Sequence, residues 1–221
     1  MTDELLSRPL SLVVALALVS FLPILFVATT SFVKTTTVLH ITRSALGAQG
    51  IPSNTVVLAL SASLTLLAMA PVGSKILARL DPVLEAKNAD AVVLVRGVVG
   101  AASDPLRAFL KANAGVREKA RFLALAKKAR GADAGAVSAD DLPVLVPAFM
   151  TTELYEAFAL GFLIFLPFLV LDLVVANVLA ALGLTTTSPT HVSLPLKLLL
   201  FVAVDGWGLL AQSLVSGYRP G

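Results

Sequence analysis

No cysteine occurs in the 221 residues, which excludes disulfides and thiolate metal sites and leaves the redox compartment unreadable. Histidine is nearly as scarce. His40 and His191 have no acidic or second imidazole ligand near them in sequence, so no recognisable metal site follows. Charge is thin too: charged residues make up 14% of the chain, against about a quarter in a soluble domain. A net charge of +3 is too slight to argue nucleic-acid binding, and the pI of 9.4 overstates it. The phosphate-cradling loop, the nucleophile elbow, the zincin histidine pair and the dinucleotide glycine pattern are all missing. No serine–acid arrangement surrounds either histidine. These absences point to a non-enzyme with no cofactor and no metal.

What is present is apolar. Hydrophobic residues are 57% of the chain and the mean hydropathy is +0.90, the composition of an integral membrane protein. Four stretches are long enough to span hydrocarbon, which takes about 20 residues. Residues 9–33 carry no charge. The segment before them (Asp3, Glu4, Arg8) is net negative, unlike a signal peptide, so a retained helix is expected, kinked at Pro23. Residues 34–54 read as a polar connector with four threonines and Arg43, closed by a Gly-rich turn at 47–52. A second span, 55–72, is rich in small residues that let helix backbones approach, and Pro71-Val72-Gly73 is expected to end it. The third and fourth spans, 155–182 and 191–217, flank a short connector and form an antiparallel hairpin.

Residues 76–150 are a different material. They hold 11 of the 17 basic and 8 of the 14 acidic residues. Leu106, Phe109 and Leu110 share one helical face, and residues 117–129 read as a second amphipathic helix with Arg117, Arg121 and Lys128 on one side. That basic side is either a membrane-surface or partner site or simply a solvated face. The expected fold class is all-α: membrane-associated helical hairpins, four hydrophobic helices in all, with a small helical extramembrane insert. The expected division is an N-terminal helix pair at 1–75, the insert at 76–150 and the C-terminal hairpin at 151–221. The insert's basic surplus favours the cytoplasm by the positive-inside rule, but the insert exceeds the ~60 residues over which that rule counts well.

The chemistry-bearing residues are the charges inside apolar helices. Lys197 and Asp205 lie eight residues apart, on roughly one helical face. Counted back from the hairpin tip, Asp172 falls about one turn from the level of Lys197 and Asn177 sits level with it. Asp172 therefore either pairs with Lys197 across the hairpin, or each charge pairs with a neighbouring subunit. Such charges are expensive in a membrane and mark a packed assembly or a polar pathway. Glu153 and Glu156, three residues apart, suit the start of a helix, where carboxylates complement the dipole.

These residues carry a resemblance. Leu22-Pro23, Thr30-Ser31-Phe32-Val33-Lys34, Arg43-Ser44-Ala45-Leu46-Gly47, Met69-Ala70-Pro71-Val72, Asp104-Pro105-Leu106-Arg107, Leu145-Val146-Pro147-Ala148-Phe149, Glu153-Leu154, Gly161-Phe162-Leu163, Asp172-Leu173-Val174 and Ser193-Leu194-Pro195-Leu196-Lys197 through Asp205-Gly206-Trp207 occur in the order of the FliP/SctR family. These are the export-gate proteins of type III secretion, and the chain resembles the injectisome R subunit more than the flagellar P subunit. The resemblance implies a homopentamer assembled with small Q/S-type and R/T-type export-gate subunits and the large export-gate subunit. It implies a multi-pass protein of the bacterial inner (cell) membrane, within a secretion basal body and among membrane lipid, with the insert on the periplasmic side. Secreted unfolded proteins would pass along its axis. It implies a pore constriction in the connector 183–191, at Leu184, Thr185 and Thr186, where the family usually carries methionines. Asp172, Lys197, Asp205 and Glu153 are themselves expected to be buried charges that set packing between helices and subunits. An ion-coupled transporter using Asp172, Lys197 and Asp205 as a relay, and a scaffold with no pathway of its own, are the competing classes.

Overall fold

The computed structural model describes residues 13, 16–17, 19–48, 50–84, 91–131, 135, 137–184, 186–219 and 221. Among the described residues the protein is all-α, with no strand and eight helices: α1 Leu22–Thr29, α2 Phe32–Leu46, α3 Asn54–Leu84, α4 Ala91–Asn113, α5 Val116–Arg130, α6 Leu142–Ala181, α7 Pro189–Ala203 and α8 Gly206–Ser216. By length and composition, two helices can cross a membrane, Asn54–Asp81 and Leu142–Ala181, and up to four spans result if α1 with α2 and α7 with α8 each make one.

The boundaries differ instructively from the sequence pattern. The segment expected as a polar connector is helix α2 for most of its length. Its threonines do not oppose the helix, because Thr35 and Thr42 donate their hydroxyls to the carbonyls of Ser31 and Val38, each at 2.9 Å. The polarity of these two is thus satisfied within the helix itself. Gly47, at φ 73°, ends α2 and donates its N–H to the Ser44 carbonyl, a left-handed position that favours glycine. Pro23 sits in the first turn of α1, where its missing N–H costs nothing, and the break in this stretch falls instead at Thr30-Ser31. Pro71-Val72-Gly73 does not end α3, which runs on to Leu84. The fourth apolar stretch is two helices, bent by 58° at Asp205, whose φ of 51° lies in the left-handed region.

The chain forms two compact units, residues 1–30, 69–152 and 219–221, and residues 31–68 and 153–218. The first has a small core in which Phe109 of α4 meets Phe149 of α6 edge-on at 5.6 Å, with Leu110, Val144, Leu145 and Ala148 fully buried. Thr152 accepts the Gly115 N–H at 2.9 Å, fixing the start of α5 against α6. The second unit buries Val38 and Leu39 of α2, Val57 of α3, Ala157 and Phe168 of α6 and Leu214 of α8 in one cluster. Phe201 stacks at its edge, 5.0 Å from Trp207.

Candidate functional site

Two charge clusters lie inside the second unit. The first is built on α7, where Ser193 and Lys197 lie one turn apart and so share a face. Lys197 is 4% exposed. Its ammonium donates to Asp172 Oδ2 of α6 at 2.7 Å and to the Ala45 carbonyl of α2 at 3.2 Å. Ser193 donates to the other Asp172 oxygen at 2.6 Å. Ala45 is in the last turn of α2, where carbonyls have no helical partner and the helix dipole favours a cation. One lysine therefore closes an ion pair between α6 and α7 and caps α2. Within the chain, Asp172 and Lys197 pair across the hairpin.

The second cluster gathers around Lys34, in the first turn of α2. Lys34 Nζ lies 3.1 Å from Glu153 Oε1 and 2.7 Å from Glu156 Oε2, and 4.3 Å from the centroid of the Tyr218 ring. Tyr218 donates its phenol proton to Glu153 Oε2. Glu153 is 1% exposed and Glu156 about half exposed. Burial, then the neighbouring Glu153 carboxylate, raises the Tyr218 phenol well above its ordinary value, so it stays a protonated donor. Each oxygen of the buried Glu153 carboxylate thus has a donor, the condition for keeping such a charge out of water.

The other anticipated positions lie apart from both clusters. Asp205 is exposed at the bend between α7 and α8, with its carboxylate folded over Gly208, where a side chain would collide with it. A single left-handed residue has turned it off the face it would share with Lys197 in one continuous helix. Leu184 is 47% exposed and Thr186 is exposed, in the turn after α6. That turn is set by Gly183 at φ 74°, with the Leu184 N–H donated to the Leu179 carbonyl, the bond of a Schellman end. Thr185 lies outside the described residues. Beside α7, Leu46, Ile51, Leu194, Leu198, Phe201 and Trp207 line an open apolar cleft of about 520 Å³.

A model of the FliP family matches residues 15–214. The chain belongs to the FliP family. The hypersensitivity response secretion protein HrcR of Ralstonia nicotianae is 41% identical over 210 residues, covering 95% of this chain and 97% of that one. The Yop proteins translocation protein R of Yersinia pestis is 40% identical over 212 residues, 95% of this chain and 96% of its own. The flagellar biosynthetic protein FliP of Caulobacter vibrioides is 38% identical over 218 residues, covering 98% of this chain and 79% of that protein.

In this FliP-family chain the reading of Glu153 as a helix-start residue is corrected: α6 begins eleven residues earlier, at Leu142. The Asp141 carboxylate accepts the Ser138 N–H at 2.8 Å just before that start, so the acids that mark the beginning are Asp140 and Asp141. Glu153 faces Lys34 instead. Lys34 and Tyr218 were not among the residues singled out by sequence. Their signal was present but faint: Lys34 is the only charge between residues 9 and 42, and a lysine so placed needs an acid nearby. Nothing local marks Tyr218, which meets the cluster only through the fold.

Proposed function

We propose that this FliP-family chain is an R-type core subunit of a type III secretion export gate, and that it forms the pore through which unfolded proteins cross the bacterial inner membrane. The observation that carries the proposal is identity of about 40% over nearly the whole chain to proteins named for secretion and translocation. The identity to the flagellar relative, 38%, keeps flagellar export as the alternative within the same family. Phe32-Val33-Lys34 and Thr187-Ser188-Pro189 favour the secretion branch. In this proposal, residues 76–150 are a helical insert outside the membrane and the turn after α6 faces the pore axis.

The surface of the chain supports a life in an assembly. On α6, Tyr155, Phe158, Phe162 and Leu163 are each more than 60% exposed. A contiguous apolar wall of this kind requires lipid or neighbouring protein. The paired charges serve the same end, because each lysine is neutralised within the chain and leaves apolar faces for packing. Co-expression with the neighbouring export-gate subunits, followed by native mass spectrometry in detergent, is expected to give five copies of this chain bound to the small subunits. A chain that remains a monomer or dimer in a preparation where those partners are present and folded contradicts the proposal and moves weight to an ion-coupled transporter.

A further inference from the structure

The second cluster contains a residue with no part in the spans themselves. Tyr218 follows α8 by two residues, yet it makes two different contacts with the buried charges. Its hydroxyl donates to Glu153 Oε2, the oxygen that Lys34 does not take. Its ring faces the Lys34 ammonium at 4.3 Å, within the ~6 Å at which a cation is held by an aromatic face. Among the described residues, the charged and titratable groups facing Tyr218 are Lys34 of α2 and Glu153 and Glu156 of α6. We propose that Tyr218 is a positioning residue, a latch by which the turn after α8 fixes the Glu153 carboxylate and covers the Lys34 ammonium, and that gate assembly depends on it. The inference rests on the export-gate reading for its assembly readout but not for its geometry.

The chemistry separates the two halves of the latch. Phenylalanine keeps the ring over Lys34 and removes the donor; leucine removes both. A lost hydrogen bond to a buried charge is worth about tenfold to hundredfold in an equilibrium constant. In the co-expressed complex, Tyr218→Phe is expected to lower the assembled fraction by about that factor, and Tyr218→Leu to lower it further. A second measurement needs no assembly. Tyr155 and Tyr218 are the two tyrosines of the chain, so in a Tyr155→Phe background the ultraviolet absorbance of tyrosinate reports Tyr218 alone. With helical circular dichroism intact, the phenol is expected to resist ionisation well beyond the ordinary pKa of about 10, and Glu153→Gln in the same background is expected to bring it down. Ordinary-range ionisation in the folded Tyr155→Phe protein overturns the latch, as does Tyr218→Phe assembling as fully as the parent. Failure of the parent chain itself to form the complex, with tyrosinate behaviour as expected, overturns the export-gate reading and leaves the latch standing.

Discussion

Lys197 holds three elements with one atom, since its ammonium reaches Asp172 on α6 and the Ala45 carbonyl on α2 from its place on α7. The energetic meaning of such a pair is asymmetric. Desolvating Lys197 consumes much of the attraction, so the intact pair adds little, whereas removing Asp172 leaves the ammonium buried and uncompensated at about 3–5 kcal/mol. Removing Lys197 costs less, because the Asp172 side chain is 38% exposed and water screens it. Lys197→Met and Asp172→Leu are therefore each expected to lower the thermal midpoint of the detergent-solubilised chain. The double variant is expected to recover more than half of the loss, because it removes both charges together. The coupling energy from that cycle is the measurement, and costs that simply add would show that the two side chains act independently. Ser193 adds a check, because it donates to the same carboxylate and loses its partner only where Asp172 is replaced.

Among the elements, α2 and α6 meet at Gly161. A Cβ on Gly161 would lie 2.5 Å from Ile41 Cδ1 and 2.9 Å from Cγ2, so the two backbones approach as closely as they do only because that position is glycine. Gly161→Ala is expected to destabilise by about 1–3 kcal/mol through overpacking. In an Ile41→Ala background the same substitution is expected to become neutral or favourable, since helix propensity then gains up to about 1 kcal/mol over glycine. Thermal midpoints of the four proteins decide it, and the same loss in both backgrounds would show that Ile41 is not the obstacle. This contact explains what the sequence conceals. Apolar runs and glycine turns mark helices well, so the all-α class and the apolar part of α6 from residue 155 on are legible, while its start at Leu142 is not. The helix α2 is not, because Thr35, Thr36, Thr37 and Thr42 look like a loop until their hydroxyls are seen turned back on the helix in the cases of Thr35 and Thr42. The bend at Asp205 is equally hidden, since the preference for a left-handed residue is weak in aspartate and gives no periodic signal. The Asp172–Lys197 pair can be counted from a hairpin tip, but the Lys34–Glu153–Tyr218 cluster joins residues 119 and 65 positions apart, and no local pattern reports it.

At the scale of the whole molecule, the turn after α6 matters through its copies rather than through its own packing. In one chain Leu184 is half exposed and Thr186 exposed, and backbone bonds shape the turn. In the proposed gate, five such turns converge on the axis with Leu184, Thr185 and Thr186 where the family resemblance implies methionines. Methionine is unbranched, apolar and adaptable, and fills irregular gaps. Threonine is stiff at χ1 and carries a hydroxyl, so a ring of threonines hydrates more readily than one of thioethers, and an apolar constriction seals by excluding water. A closed gate built from this chain is therefore expected to leak ions more than one carrying Leu184→Met, Thr185→Met and Thr186→Met together, by several-fold in single-complex conductance with no substrate engaged. Assembly, read by native mass, should be the same for both, because among the described residues Leu184 and Thr186 take no part in either charge cluster. Equal leakage from two equally assembled complexes would mean that this turn does not form the seal, and that the barrier to ions is supplied elsewhere in the gate.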